Sequence, residues 1–194
     1  MIDSVPPVSA NKLISEFRHG EMVLLVLDQS DGEQTAVVAM AAEYCEADHV
    51  TFMARQARGL VSLALTEERC EQLNLPPMVD PATSGAVKLS IEASTGIDTG
   101  ISAADRARTV RVAVAPDAKP SDLVQPGHIF PVATLTGGVL IRTGAAEAGV
   151  DLAILAGLMP AAVFAEVLDA NGDLANAAAS VSYTHLRAHE TETN

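Results

Sequence analysis

The sequence predicts an α/β fold, on three observations. Short continuous apolar runs, among them Met22 to Leu27 and Ala162 to Leu168, alternate with stretches of helical spacing, the pattern of covered strands between helices. Hydroxyl side chains stand ahead of several of those helical stretches, where they can cap them. Hydrophobic residues make up 48% of the chain but aromatics only 3%, with no Trp. Ala, Val and Leu must therefore fill the core, which suits closely packed α/β layers better than an aromatic-rich sandwich.

Taken in order, the elements read as follows. Residues 1–8 are a Pro-containing leader. Ser9 caps a helix carrying Leu13, Ile14 and Phe17, and Gly20 ends it. Met22 to Leu27 is a strand, and Asp28 to Gln34 a polar loop containing Gly32. Thr35 to Ala42 is apolar and reads equally as strand or helix. Asp48 is the expected N-cap of a helix running to Gln56, and Gly59 leads into a strand over Leu60 to Leu65. Thr66-Glu67-Glu68 opens a helix with acids in its first turn, as the helix dipole favours. Val87 to Glu92 alternates as a strand, and Ser102, three residues before Asp105, caps the next helix. Residues 116–131 read as loop-rich, and Gly137-Gly138 as a turn. Glu147 to Ala156 is a helix ended by Gly157, Ala162 to Leu168 a strand, and Asn171-Gly172 a tight turn.

The formal net charge is −13 and the basic residues form no cluster, so a nucleic-acid partner is not expected. Cys45 and Cys70 are isolated and read as two buried thiols in a reducing compartment. The N-terminus lacks a basic region followed by an apolar stretch. No apolar run approaches the roughly 18 residues of a membrane span. A cytoplasmic protein with no membrane contact is the expectation. Residues 181–194 change composition abruptly and resemble translated adapter sequence. They are expected to be a non-native tail, and the His185/His189 pair within them is not read as a metal site, because no third ligand belongs with it.

Several ordered stretches carry a family resemblance: Arg58-Gly59-Leu60, Leu65-Thr66-Glu67-Glu68-Arg69, Leu75-Pro76-Pro77-Met78-Val79, Thr99-Gly100-Ile101-Ser102-Ala103-Ala104-Asp105-Arg106-Ala107, Gln125-Pro126-Gly127-His128-Ile129-Phe130-Pro131, and Gly137-Gly138-Val139-Leu140. In order and spacing they resemble the 3,4-dihydroxy-2-butanone-4-phosphate synthase family of riboflavin biosynthesis. The resemblance implies an α/β/α sandwich over residues 9–180, lacking the family's last helix and strand. It also implies conversion of D-ribulose 5-phosphate to L-3,4-dihydroxy-2-butanone 4-phosphate plus formate, a Mg²⁺ (or Mn²⁺) cofactor, a sugar-phosphate ligand, and active sites at a homodimer interface.

The same resemblance nominates site residues and exposes losses. Glu33 matches the acid that binds the metal and serves the chemistry. His128 and Glu166 match two further catalytic groups. Arg142, Thr143, Gly144 and Thr99 match substrate-binding positions. Against these, the loop Asp28 to Val37 has Gly32 where the family has Arg, Thr35 where it has Glu, and Val37 where it has Asp. In Arg142-Thr143-Gly144-Ala145-Ala146-Glu147-Ala148, Ala145 replaces the metal-binding His and Ala146 the phosphate-binding Thr. The family's N-T-x-x-x-G-T-x-F loop shortens to Ala82 through Val87, and its Cys becomes Ser62. A methyl group cannot coordinate Mg²⁺, and one carboxylate plus water is a weak site. The expectation is a lyase-family protein with a degenerate site and weak or no activity. The alternatives are a non-catalytic sugar-phosphate-binding or regulatory paralogue, or a structural partner of an active riboflavin enzyme.

Overall fold

The computed structural model describes residues 8–28, 34–79 and 86–175. The leader up to residue 7, the centre of the acidic loop with Glu33, the shortened loop at residues 80–85, and everything beyond 175 (including the expected tail and C-terminal truncation) lie outside the described residues.

One mixed sheet runs in the order β1-β2-β6-β3-β5-β4. Its strands are β1 (Val23–Asp28), β2 (Gln34–Ala41), β3 (Ser62–Thr66), β4 (Ile91–Ala93), β5 (Leu123–Thr134) and β6 (Ala161–Glu166). The described α-helices are α1 (Ala10–Arg18), α2 (Ala47–Phe52), α3 (Glu67–Gln72), α4 (Ala103–Val114) and α5 (Ala145–Ala156). β3 and β5 pair in parallel, and the other neighbours pair antiparallel.

Strand alternation makes two cores. Val38 and Met40 of β2, Leu63 and Leu65 of β3, and Val163 and Ala165 of β6 face α2, α3 and α4. Val37, Ala39 and Ala41 of β2, Ala64 of β3, and Ala162 and Phe164 of β6 face α1 and α5. The result is the α/β/α sandwich. Its inner strands are rich in Ala because both faces are covered and the helices must come close.

The helix caps follow the sequence. Ser9 Oγ accepts from Lys12 N at 3.4 Å, Thr66 Oγ1 from Arg69 N at 3.1 Å, and Ser102 Oγ from Asp105 N at 3.0 Å. Other elements differ. The ambiguous stretch after Thr35 is a strand, buried throughout from Ala36 to Ala41; a segment covered on both faces shows no amphipathic period. The α2 cap is Glu46, not Asp48. His49 Nδ1 reaches back to accept from the Glu46 N–H at 3.0 Å, and Asp48 falls in the first turn. A single π-type turn, Met53–Ala57, continues that helix.

The largest correction concerns residues 116–131. Pro126, Gly127 and Pro131 suggest loop, yet β5 is the longest strand. Pro cannot donate to a ladder, but Pro131 can accept, and its carbonyl takes the Lys88 N–H at 2.9 Å. Pro126 and Gly127 fall where the β4–β5 register shifts, so they disturb the ladder at one place only.

Gly149 of α5 lies over Ala162 of β6, and a Cβ there would stand 2.7 Å from the Ala162 methyl. Helix propensity favours a side chain over Gly by about 1 kcal/mol, so the contact decides. Gly149→Val should lower stability in urea unfolding by about 1–3 kcal/mol. Ile154→Ala on the same helix, where the side chain is exposed, should change it by no more than about 0.5 kcal/mol. A Gly149→Val protein as stable as the parent would mean that α5 does not pack tightly on β6.

Candidate functional site

The nominated side chains fall into two groups along β5 (Leu123–Thr134). Midway along it, His128 Nδ1 contacts the Glu92 carboxylate of β4. Glu92 has a side chain only 15% exposed, against 41% for His128. Gly100 packs directly on that carboxylate: a Cβ there would overlap it, and its φ of +78° is one that L side chains rarely adopt. Thr99 is exposed beside it.

Glu166 ends β6 opposite Val37 of β2. Its backbone is held by close approach of Gly59, where a Cβ would come within 2.9 Å of the Glu166 nitrogen. Ser62 of β3 pairs with both Phe130 and Phe164. Two residues back along β5 and two forward along β6 lie His128 and Glu166. They therefore stand level on the α1/α5 face, separated by two strand spacings, or roughly 10 Å. Val37, where the family carries an acid, is 2% exposed and belongs to the apolar core under α1.

Arg142 and Gly144 lie toward the C-terminal end of β5. Arg142 Nε donates to Glu147 Oε1 at 2.8 Å and Nη2 donates to the Ala133 carbonyl at 3.0 Å. Ala133 is five residues beyond His128 in β5, about 17 Å of extended chain. Within one chain, then, Arg142, Thr143 and Gly144 do not share a site with His128 and Glu166. Gly144 permits a close approach, but by Glu147: a Cβ there would lie 2.6 Å from Glu147 Oε2. Glu147 is 1% exposed. Thr143 is exposed.

The loop from Asp98 to Gly100 is fixed by Asp105 of α4, whose carboxylate accepts from Gly100 N at 3.0 Å and Asp98 N at 3.4 Å. Desolvation would raise this carboxyl. Hydrogen bonds from the Ser102 hydroxyl and from the Asp98, Gly100 and Thr99 backbone outweigh it and hold the group below its ordinary 3.8. The Ser102/Asp105 pair is therefore a helix cap that also ties down the Thr99 loop. Cys45 and Cys70 are buried and free, and burial pushes both thiols up to about 12, so neither is a nucleophile at neutral pH.

A divalent ion does not fit the described residues. Ala145 and Ala146 place methyl groups at the start of α5, and the carboxylate in that first turn, Glu147, is already engaged by Arg142. No three His, Cys, Asp or Glu among the described residues are grouped so as to hold a metal ion. Glu33 lies outside the described residues. Two residues escaped the sequence reading: Glu92, partner of His128, and the role of Glu147, partner of Arg142. The signal for both was present, since a carboxylate in an apolar strand or an apolar helix is seldom buried without a partner.

A mixed sheet between two helical layers, with an acid–imidazole pair and a second acid level with it, defines an α/β/α scaffold that gathers titratable groups. More particularly, the chain belongs to the 3,4-dihydroxy-2-butanone 4-phosphate synthase family, whose model matches residues 11–190. It is 53% identical over 166 residues to the 3,4-dihydroxy-2-butanone 4-phosphate synthase of Pseudomonas syringae pv. tomato, covering 84% of this chain and 45% of that protein. Among solved structures it is similar to RibBX, a two-domain 3,4-dihydroxy-2-butanone 4-phosphate synthase from A. baumannii. That match has a TM-score of 0.86 and 45% identity, over 93% of this chain and 54% of that one. A synthase in complex with two magnesium ions matches with a TM-score of 0.78 and 40% identity, over 84% of this chain and 77% of that one. The chain thus spans about half the length of the Pseudomonas and A. baumannii proteins.

Glu147→Ala should cost about 2–3 kcal/mol in denaturant unfolding. That is less than the roughly 3–5 kcal/mol for breaking a fully buried pair, because the Arg142 side chain is 37% exposed. For Asp105 the folded state keeps the group ionised to lower pH than the unfolded chain does. Its contribution is present above the ordinary Asp range and is lost as pH falls through the lowered value. Asp105→Asn should be less stable than the parent at neutral pH, with the two unfolding curves converging below about pH 4.

Proposed function

We propose that this chain is a riboflavin-pathway synthase domain acting on D-ribulose 5-phosphate with turnover at or near background. The observation that carries the reading is the start of α5. Ala145 and Ala146 stand where the family has an imidazole and a hydroxyl, and the nearby carboxylate of Glu147 is bound to Arg142. Losing one positioned acid–base group typically costs about 10²–10⁴-fold. The groups that remain can still bind and move protons: His128 and Glu166 at the open sheet end, and the unengaged donors of the Arg142 guanidinium toward a phosphate. The Mg²⁺ or Mn²⁺ of the family is held weakly if at all.

The proposed assembly is a cytoplasmic homodimer. The separation of about 17 Å along β5 between His128 and Ala133, the carbonyl that Arg142 contacts, supports a site completed by a second copy, with Arg142 of one chain meeting Glu166 of the other. Among the described residues, no helix is long and apolar enough to cross a membrane.

Formate release from ribulose 5-phosphate, with and without Mg²⁺, tests this on the full chain. The parent should be close to background. Ala145→His, at a half-buried helix start, should raise Mg²⁺-dependent release by about 10²-fold. Val37→Asp is a poor companion, because it would bury a second carboxylate beside Glu166. Metal-dependent turnover by the parent equal to that of Ala145→His would overturn the proposal.

A further inference from the structure

We propose that Glu92 is the positioning residue of His128. It holds the imidazole as the Nδ1–H tautomer and leaves Nε2 as the atom that accepts a proton at the open sheet end.

Three contacts build this arrangement. The Glu92 carboxylate meets His128 at Nδ1, and an ionised carboxylate accepts hydrogen bonds but cannot donate one, so the proton sits on Nδ1. Gly100 packs on the same carboxylate oxygen, Oε1, leaving no space for a Cβ, and its N–H is held by Asp105. Gly127 presses on the Ile91–Glu92 backbone, and its N–H donates to Ser90 Oγ at 3.1 Å, so the residue before His128 is clamped as well. Glu92 is thus confined by Gly100 at its carboxylate and by Gly127 at its backbone, and the ring is fixed at its attachment. A carboxylate with a side chain 15% exposed that meets an imidazole is a built pair, not a solvated acid.

The consequence deepens the synthase reading and rests on it only for what Nε2 is used for. A neutral His128 in this tautomer presents a lone pair, not an N–H, to a ligand, so it takes a proton before it can give one. Glu92 touches no reacting atom in this arrangement and acts through the ring.

Two-bond ¹H–¹⁵N correlation spectra of the full chain, recorded where His128 is neutral and assigned with His128→Gln, report the tautomer directly. In the parent, Nδ1 should show the protonated-type shift and Nε2 the unprotonated type. Glu92→Ala should turn the ring mainly to Nε2–H, the form free histidine favours in water, and Glu92→Asp should restore part of the Nδ1–H signal. Gly100→Ala should produce the same turnover with the carboxylate still present, because it displaces Glu92. A parent ring found as Nε2–H would overturn the inference even if no variant folds. So would a folded Glu92→Ala protein whose ring stays Nδ1–H. Formate release enters neither outcome, so the tautomer stands or falls apart from the lyase activity.

Discussion

Antiparallel pairing lodges β6 between β2 and β3, and most of the architecture follows from that placement. β6 joins the β1–β2 hairpin to the parallel β3/β5 pair, and residues 161–165 are buried on both faces. Its alternation divides the two cores. A slip of one residue would turn every side chain to the opposite face, sending Glu166 into the α2/α4 layer and Val163 out of it. Gly59 against the Glu166 backbone and Gly149 against Ala162 act as steric stops on that register. Both are positions where even a methyl group would push an element away.

Charge is managed in the same economical way. The buried Glu147 meets Arg142, the buried Lys88 meets Glu67, and the largely covered Glu92 meets His128. A charge taken out of water needs a partner and its hydrogen bonds. Where the family resemblance suggests ligand-binding groups, this chain has committed some of them to holding the fold. Arg142 and Gly144 are both organised around one carboxylate, and Val37 has joined the apolar core.

Much of this was legible in the sequence, for identifiable reasons. The caps at Ser9, Thr66 and Ser102 are local: a hydroxyl, three residues, and an N–H. The outer helices show their apolar face as a period. By contrast, the stretch from Ala36 to Ala41 is sealed on both sides and carries no period to distinguish strand from helix. Leu123–Thr134 was hidden by two prolines: Pro131, whose carbonyl still accepts from Lys88, and Pro126, which falls at a register shift. Asp48 looked like the cap of α2 because it is the better capping residue in isolation; the reciprocal bond between Glu46 and His49 shifts the start by two residues. His128, Glu166 and Arg142 were nominated by resemblance, while Glu92 was passed over because its partner is 36 residues away.

The sequence alone determined the layered α/β class and the family. Those depend on composition, local spacing and residue identity, which need no third dimension. Only the tertiary structure decided that His128 and Glu166 stand level while Arg142 lies at the far end of β5, and that Glu92 and Glu147 each answer a charged or titratable neighbour. These are matters of strand register and long-range burial. Pairing between distant segments fixes both, and no stretch of the chain specifies either by itself.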